Sequence, residues 1–351
     1  MTTTVQDLVT RNVRWLDSPG QHHGIVISTR IRFARNCAGY PFQRKLSRGR
    51  QQDLVAQLRA RIGRSAGWKD AISLQMGDLT DVERTALSER QLISRELASG
   101  KRPSAAYLSQ DETFALMINE EDHVRLQVIS GGQRLEENLE RAVDLDRKLE
   151  GAIEWAVHPR YGYLSACPTN AGTGLRASVM LHLPALAETQ DLRQVLRGLG
   201  KLHMTVRGLH GEGSEASGHY YQISNQRSLG HSETEIVDGI RETVEKIVAY
   251  EELARQALLD NSRWKLEDRV FRGWGILTHA RSISYDELVD QLSWVRLGTA
   301  LGLLSTRDWS VLDRIFLQCQ PAHLQLQHHH ATMPEARDRL RAELVRRWLA
   351  P

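Results

Sequence analysis

The uneven distribution of strand-like and helix-like segments constrains the fold more than any other feature of this sequence. Short runs rich in branched and aromatic residues lie between residues 113 and 226, with helical stretches between them. They are TFALMIN, HVRLQVISGG, YGYLSACP, LRASVMLHLP and HYYQISNQ. Strands that do not alternate regularly with helices are typical of an α+β domain with a mainly antiparallel sheet, rather than a doubly wound parallel one.

Periodicity and capping signals predict the remaining elements. IVISTRIRFARN (residues 25–36) predicts a strand after a short lead-in helix at about residues 5–15. Helices are predicted at residues 48–64, 82–97, 135–153, 192–203 and 232–259, the last with the capping box Ser232 and Glu235. Beyond about Asn261 only helices are predicted, after Ser284, at residues 309–316 and from Pro334 to Leu349. We therefore expect a lead-in (1–24), an α+β domain (25–258) and an all-helical module (259–351).

Charge and cysteine content exclude several classes of protein. The chain has 46 Lys+Arg against 43 Asp+Glu, a formal charge of +3, so a polybasic nucleic-acid tail is excluded as the main theme. Three scattered cysteines do not make a disulfide framework. No apolar run approaches the roughly 18 residues of a membrane span, and the first residues lack an apolar signal-peptide core. We expect a cytoplasmic protein without membrane or nucleic-acid partners.

Arginines in or beside strand-like runs are the first candidates for a site. Arg30 and Arg32 alternate in one strand-like run, so both side chains are expected on the same face. Arg125 lies in HVRLQV, Arg176 lies just after Gly172 and Gly174, and Arg207 precedes GLHGEG. A buried charge without a partner is costly. Separate salt bridges would satisfy each arginine, whereas a polyanion such as a nucleoside triphosphate would suit all five. The chain contains no GxxxxGK[ST] phosphate loop.

Two acidic segments are the second group of candidates. Glu120, Glu121 and Asp122 are consecutive acids at the end of a strand-like run, and Glu212 lies in the glycine-rich run GEGSE. Carboxylates this close repel one another, so they usually face solvent, a cation or a metal. A solvated loop remains the alternative for each.

Four blocks of this sequence resemble the ATP:guanidino phosphotransferases, the family of creatine and arginine kinases. The blocks occur in the family's order between about Ile25 and Tyr250. They are STRIR (28–32), NEEDHVR (119–125), CPTNAGTGLRASV (167–179) and RGLHGEGSEASGHYYQISN (207–225). The resemblance implies a phosphagen-kinase-like catalytic domain that uses ATP and Mg²⁺.

Within that family the chain resembles the bacterial protein-arginine kinases more closely than the kinases of small guanidines. Only 24 residues precede the predicted strand that carries STRIR, which begins at Ile25, so we expect the all-helical N-terminal domain of the small-molecule kinases to be missing. ISGGQRLEENLERA is similar to the protein-arginine kinase version of that segment. The C-terminal RDRLRA (337–342) contains an RDxxRA string that forms a phosphoarginine-binding regulatory pocket in those enzymes.

The resemblance implies roles for individual residues. Glu121 and Glu212 would hold the acceptor guanidinium, one of them as base, and Cys167 matches the family's active-site cysteine. The phosphoarginine pocket would use Arg337, Asp338, Arg341 and Ala342, and no metal-binding side chains are expected. The nucleotide-contacting residues would be Ser28, Thr29, Arg30, Ile31, Arg32, Arg125, Arg176, Ala177, Ser178, Val179, Met180, Arg207, Gly208, Leu209, His210, Gly211 and Glu212.

One position departs from the family pattern. The family's string near Glu89 to Ser94 has a histidine that contacts the nucleotide, and this chain has Gln91 there. Gln91 is therefore an uncertain nucleotide contact.

The resemblance also implies partners: protein substrates with accessible arginines, an activator protein, a Clp-type unfoldase in the stress response, phosphoarginine as an allosteric ligand, and a homodimer formed through the helical module. Two alternatives stay open, a kinase of free arginine and a non-catalytic phosphoarginine-binding adaptor.

Overall fold

An eight-stranded antiparallel sheet forms the centre of the computed structural model, which describes residues 3–16, 20–208, 217–304, 309–328 and 331–350. The strand order is β2-β3-β4-β5-β1-β8-β10-β9, and a separate hairpin pairs β6 with β7. The strands are β1 (Val26–Arg35), β2 (Ile72–Gln75), β3 (Ala105–Leu108), β4 (Phe114–Ile118), β5 (Val124–Gly131), β6 (Val157–His158), β7 (Gly162–Tyr163), β8 (Leu175–His182), β9 (Met204–Gly208) and β10 (Tyr220–Asn225).

Helices cover the sheet and continue alone toward the C-terminus. They are α1 (Val5–Val9), α2 (Arg48–Ile62), α3 (Asp81–Glu89), α4 (Arg95–Ser99), α5 (Leu135–Glu150), α6 (Pro184–Glu188), α7 (Leu192–Lys201), α8 (Glu233–His279), α9 (Tyr285–Ala300), α10 (Trp309–Gln318), α11 (Pro321–Gln327) and α12 (Pro334–Leu349). The predicted capping box is present, since the Ser232 hydroxyl accepts the Glu235 N–H and Glu235 accepts the Ser232 N–H. This architecture confirms the predicted α+β class with a C-terminal helical region.

The central strand β1 is buried because it has neighbours on both edges and helices over one face. It pairs with β5 and β8, both antiparallel. Its apolar side chains Ile31 and Phe33 enter the largest core cluster together with Leu54 of α2, Leu145 of α5 and Val244 of α8. Alternation along a strand sends the neighbouring side chains to the opposite face. Arg30 and Arg32, which alternate with these apolar residues, are therefore held on the face away from this core.

Several predicted helix boundaries were wrong. The lead-in helix ends at Val9 instead of continuing to about residue 15, and the stretch 82–97 is broken into α3 and α4. The helix that begins at Glu233 continues to His279, with a non-helical residue, Ser262, inside it. The predicted division after residue 258 therefore lies within α8, four residues before this kink.

The helical module packs directly against one end of the sheet. Ile27 of β1 and Tyr220 of β10 share a core cluster with Leu292 of α9, Ile315 of α10 and Val345 of α12. This shared core fixes the module against the strands that carry the candidate site. Within the described ranges, no helix has the length and apolar character that crossing a bilayer requires.

Candidate active site

Two opposed arginines form the base of a cleft on the face of the sheet away from the main core. Arg32 of β1 lies directly opposite Arg176 of β8 in the antiparallel register. Like charges at opposed positions destabilise a sheet unless something of opposite charge lies between them. Burial lowers the pKa of Arg32 well below its ordinary value, and the guanidinium groups of Arg30, Arg125 and Arg176 lower it further. The sheet therefore holds a concentrated positive charge at this point.

The cleft has a volume of about 430 Å³ and brings together six of the side chains that the sequence analysis names as site residues. They come from separate strands and loops: Arg32, Arg125, Arg176, Arg207, Glu121 and Cys167 all line it. Arg207 reaches it from β9, which pairs with β10, while Arg176 donates to the Ser224 hydroxyl of β10 at 3.1 Å. The convergence of these distant segments was predicted only through the resemblance.

Arg30 lies on the same strand face as Arg32 but does not line the cleft itself. Its Nη2 donates to Oε1 of Gln91 at 2.5 Å. Burial and the neighbouring Arg125 lower the pKa of Arg30 to about 10. In the described part of the chain, Nε of Arg30 and Nε of Arg32 are buried without a hydrogen-bond partner. Unsatisfied cationic donors of this kind fit the oxygens of a phosphate chain.

Strand alternation separates the predicted nucleotide-contacting stretches into two groups. The side chains of Thr29, Ile31, Ala177 and Val179 are fully buried on the core side of the sheet. These four side chains do not face the cleft, and the contact of their residues with a nucleotide stays a prediction. Thr29 instead donates its hydroxyl to the Gly132 carbonyl at 2.7 Å.

The remaining residues of those stretches lie beside the cleft and do not line it. Ser28 and Met180 are paired in the sheet register, and Met180 packs against the core cluster of the helical module. Ser178 lies opposite Arg30, and its hydroxyl accepts from Nε2 of Gln222 at 3.2 Å. Gly208 ends β9 opposite Tyr221. The predicted residues Leu209, His210, Gly211 and Glu212 lie outside the described residues.

Three consecutive acids after β4 have three different environments. Glu120 is buried and accepts from Nη1 of Arg125 at 2.7 Å and from the Ser94 hydroxyl at 2.6 Å. Glu121 is partly exposed in the cleft, with Oε2 3.4 Å from Nη2 of Arg125. Burial raises the pKa of Glu121, the neighbouring Asp122 and Glu120 raise it further, and Arg125 opposes the rise. Glu121 is therefore the described carboxylate best suited to accept a proton in this cleft.

Asp122 joins the acidic turn to the loop that carries Cys167. Its Oδ1 accepts the Ala166 backbone N–H at 2.7 Å and Nδ2 of Asn36 at 2.6 Å. Its Oδ2 accepts the Ser165 hydroxyl at 2.9 Å. Because Glu121 and Cys167 are each one residue from these contacts, Asp122 fixes their relative position. Sequence reasoning missed this role, since nothing local distinguishes Asp122 from its acidic neighbours.

A glycine turn after Cys167 lets the chain pass close to β1. Gly174 has a φ of +69°, and a Cβ there would lie 2.5 Å from Nη1 of Arg35 and 2.6 Å from the Ala34 carbonyl oxygen. Arg35 itself is buried, donates to the Thr173 carbonyl at 2.9 Å and pairs with Asp146 at 2.6 Å. The turn delivers Arg176 to the position opposite Arg32. Arg35 is a further supporting residue that the sequence reasoning missed.

Two family matches together cover most of this chain. Residues 53–254 match the family described as ATP:guanido phosphotransferase, C-terminal catalytic domain. The chain belongs to the ATP:guanido phosphotransferase family. Residues 263–351 match the description Protein-arginine kinase McsB C-terminal domain, so the helical module also has relatives of its own. Both matches confirm the resemblance drawn from the sequence.

Relatives of this phosphotransferase match it almost from end to end. The protein-arginine kinase of Halothermothrix orenii is 40% identical over 98% of this chain and 98% of its own length. The protein-arginine kinase of Symbiobacterium thermophilum is 42% identical over 97% of this chain and 98% of its own length. Similarity at this coverage includes both the α+β domain and the helical module.

Solved structures support the phosphagen-kinase-like fold. The crystal structure of lombricine kinase is 22% identical, with a TM-score of 0.57 over 72% of this chain and 77% of that chain. The duplicated taurocyamine kinase from Schistosoma mansoni with bound transition state analog components is 24% identical, with a TM-score of 0.59 over 74% of this chain and 36% of that chain.

The RDRLRA string of the phosphotransferase lies on α12, and its two predicted ligand arginines have different environments. Arg341 is buried and donates to the carbonyls of Cys319 at 2.9 Å and Ile283 at 2.7 Å, and also contacts Asp338. Arg337 is half-buried and donates to the Thr332 carbonyl at 2.6 Å. Ala342 is buried in the module's core. Arg337 is thus more open to a ligand than Arg341, whose donors hold the module together.

Two further arginines line the cleft of the phosphotransferase, and sequence reasoning did not identify either. Arg44 lies in the 3₁₀ turn after β1, and its charge lowers the pKa of Glu121 slightly against the larger effect of burial. Arg102 contacts Gln43 and donates to the Glu120 carbonyl at 3.5 Å. Both residues lie in short loops beside a lysine, where no pattern distinguishes a lining residue from a solvated one.

Proposed function

We propose that the protein transfers the γ-phosphoryl group of ATP to arginine side chains of proteins, producing ADP and protein N-phosphoarginine. The observation that carries this proposal is the single cleft in which arginines from four strands face a carboxylate of raised pKa. Similarity over the full length to protein-arginine kinases supports the choice of acceptor.

Phosphoryl transfer requires positioning and charge neutralisation more than covalent help from the protein. Arg32, Arg125, Arg176 and Arg207 supply planar donors that match phosphate oxygens in pairs. We assign these four, with Arg30, to the nucleotide phosphates. Mg²⁺ binds through phosphate oxygens and keeps several waters, so we propose that it arrives with the nucleotide.

The acceptor nitrogen belongs to a guanidinium that is normally protonated and therefore a poor nucleophile. The N–P bond forms as the bond from the γ-phosphorus to the bridging oxygen breaks, and the guanidinium proton must leave to a base. Glu121 can orient the planar group and accept this proton, because its raised pKa favours protonation relative to an ordinary glutamate. We assign Glu212 as the second carboxylate and Cys167, which lines the cleft, as a contact of the acceptor.

The remaining parts of the proposal rest on the resemblance to protein-arginine kinases. We infer a cytoplasmic enzyme that forms a homodimer through the helical module and binds phosphoarginine near Arg337 and Asp338. An activator protein and a Clp-type unfoldase are the proposed partners in a stress response. The side chain of Arg337 on α12 is only half-buried, which supports a ligand site there.

The test of the proposed function compares two acceptors. Purified protein is incubated with MgATP and either an unfolded protein such as casein or free arginine. We expect acid-labile phosphate on the arginine side chains of casein. Turnover of free arginine with no modification of casein would instead identify a small-molecule guanidine kinase.

A further inference from the structure

Three consecutive residues at the end of α3 connect the helical module to Arg30, beside the cleft. Glu89 contacts the module, Arg90 is anchored in the α+β domain, and Gln91 contacts Arg30. Neighbouring residues in a chain cannot move independently when each side chain is fixed. The segment 89–91 is therefore a short mechanical connection between two parts of the fold that are more than 200 residues apart in sequence.

Glu89 binds the first turn of α11. Its carboxylate accepts the backbone N–H groups of Ala322 at 2.9 Å and His323 at 3.0 Å, and its Oε2 lies 2.7 Å from Nδ1 of His323. Nε2 of Gln320 donates to the Glu89 carbonyl at 3.1 Å. An anionic side chain at a helix start satisfies N–H groups that have no partner within the helix. Glu89 is thereby held by α11 through both its side chain and its backbone.

Arg90 prevents the segment from rotating. Its side chain is completely buried, and Nε and Nη2 donate to the two oxygens of Glu112 at 2.7 and 2.6 Å. Its Nη1 lies 3.4 Å from Nε2 of His323. A bidentate buried pair of this kind has one well-defined geometry. The position of Arg90 therefore sets the direction in which the next residue leaves α3.

Gln91 links this segment to Arg30. It has a φ of +64°, an uncommon conformation for a residue other than glycine, and Nε2 of Gln127 donates to its carbonyl at 2.7 Å. Gln127 lies opposite Arg32 in the sheet register. The Gln91 side chain accepts from Nη2 of Arg30 at 2.5 Å. An amide acceptor orients a guanidinium without neutralising it, so the full positive charge of Arg30 remains for a phosphate.

We propose that Glu89 and Gln91 are positioning residues for the nucleotide site, through which helix α11 of the module fixes the guanidinium of Arg30 before the nucleotide binds. This inference rests on the proposed role of Arg30 at the phosphates. Long arginine side chains lose rotamer freedom when they bind. Restraining Arg30 in advance removes part of that cost from nucleotide binding.

A double-mutant cycle on nucleotide affinity tests this inference. MgADP binding to the full chain is measured by calorimetry for the wild type, Glu89→Gln, Gln91→Ala and the double variant. We expect each single change to weaken MgADP binding by about 5- to 10-fold, and the double variant to bind no more weakly than the weaker single variant. Effects that act through one shared element are not additive, whereas two independent effects would multiply.

The matched control is Glu83→Gln, which removes the capping-box carboxylate at the opposite end of the same helix α3. It should lower the melting temperature but leave MgADP affinity unchanged. If Glu89→Gln behaves like this control, or if the two single effects multiply in the double variant, Glu89 has only a structural role and the inference is wrong.

A further variant keeps the test decisive if Glu89→Gln does not fold. Gln91→Glu places a carboxylate against Arg30, so it should order the guanidinium but neutralise it, and weaken MgADP binding more than Gln91→Ala does. Equal affinity of Gln91→Glu, Gln91→Ala and the wild type would overturn the inference. Because binding is measured without an acceptor, a wild type that binds MgADP but modifies no protein would refute the proposed function alone. A wild type that binds no MgADP would refute both.

Discussion

Arg32 and Arg176 lie directly opposite each other on adjacent antiparallel strands, with their side chains on the same face of the sheet. Such a pair of like charges is unfavourable in the absence of an anion. The pKa of Arg32 is lowered first by burial and then by repulsion from the neighbouring guanidinium groups. The proposed nucleotide would relieve this repulsion, because its phosphates would lie between the two guanidinium groups.

Replacing Arg32 should abolish the stabilisation by MgADP without lowering the stability of the ligand-free protein. Arg32→Met removes one of the opposed charges, so the ligand-free protein should be equally stable or more stable by up to about 1 kcal/mol. Stabilisation by MgADP should be lost, whereas the wild type gains about 2.7 kcal/mol at a concentration 100 times the Kd. Thermal melts with and without MgADP measure both effects. The exposed Arg147→Met is the control, and an undiminished MgADP effect in Arg32→Met would contradict the assignment.

The raised pKa of Glu121 predicts the acid limb of the activity profile. A base must be unprotonated, so kcat/KM should fall about tenfold per pH unit below a pKa that lies above the ordinary value of 4.5. Glu121→Gln should reduce kcat by about 10²- to 10⁴-fold and abolish this limb. A pH–rate profile of both proteins checks this. An unchanged acid limb in Glu121→Gln would assign the titration to another group.

The raised pKa of Glu121 also predicts how the stability of the folded protein depends on pH. The folded protein holds the Glu121 proton more tightly than the unfolded chain does, so this stabilisation is present below the unfolded pKa and lost as the pH rises through the folded pKa. At neutral pH, Glu121→Gln should therefore be as stable as the wild type or slightly more stable. Urea denaturation at neutral pH measures this, and a large loss of stability would show that Glu121 has a structural role.

Asp122 should be needed for stability as well as for activity. Asp122→Asn replaces a fully buried acceptor of three hydrogen bonds by a group that presents its own N–H donors. Disruption of such a network should cost about 3 kcal/mol of unfolding free energy. Ser165→Ala, which removes one donor, should cost only about 1 kcal/mol. Denaturant titration of the two variants checks the ratio, and equal costs would refute the central role of Asp122.

Gly174 should not tolerate a side chain. Gly174→Ala adds a Cβ at a φ of +69°, within 2.6 Å of Arg35 and the Ala34 carbonyl oxygen, so the turn must shift. The conformation alone should cost about 1–2 kcal/mol, and the contacts should add to it. In α2, Gly49→Ala meets nothing within 4 Å and should be neutral or stabilising by up to about 1 kcal/mol. Melting temperatures that fall equally in both variants would contradict this explanation.

Strand alternation made part of the site predictable from the sequence. Arg30 and Arg32 were predicted on one face, and the same rule explains why Thr29 and Ile31 point into the core. The supporting contacts were not predictable, because Asp122 reaches Ala166, and Glu89 reaches α11, across long separations in sequence. No local pattern records such pairs.

The helical boundaries illustrate the same limit. The capping box predicted the start of α8 correctly, since a cap is a local interaction. The end of α8 was placed about 20 residues too early. Its second half is stabilised by contacts with other helices of the module, such as Val270 packed against Gly298 of α9, and these contacts have no signature in the sequence of α8 itself.

The most direct measurement concerns the fate of the γ-phosphoryl group. An unfolded acceptor protein and a version with every arginine replaced by lysine are incubated with MgATP and the enzyme, and phosphorus-31 NMR follows the products. The proposed function predicts a phosphorus–nitrogen resonance and matching ADP with the arginine-containing acceptor, and neither with the lysine version or the Arg32→Met enzyme. Equal phosphorylation of both acceptors, or full activity of Arg32→Met, would contradict it.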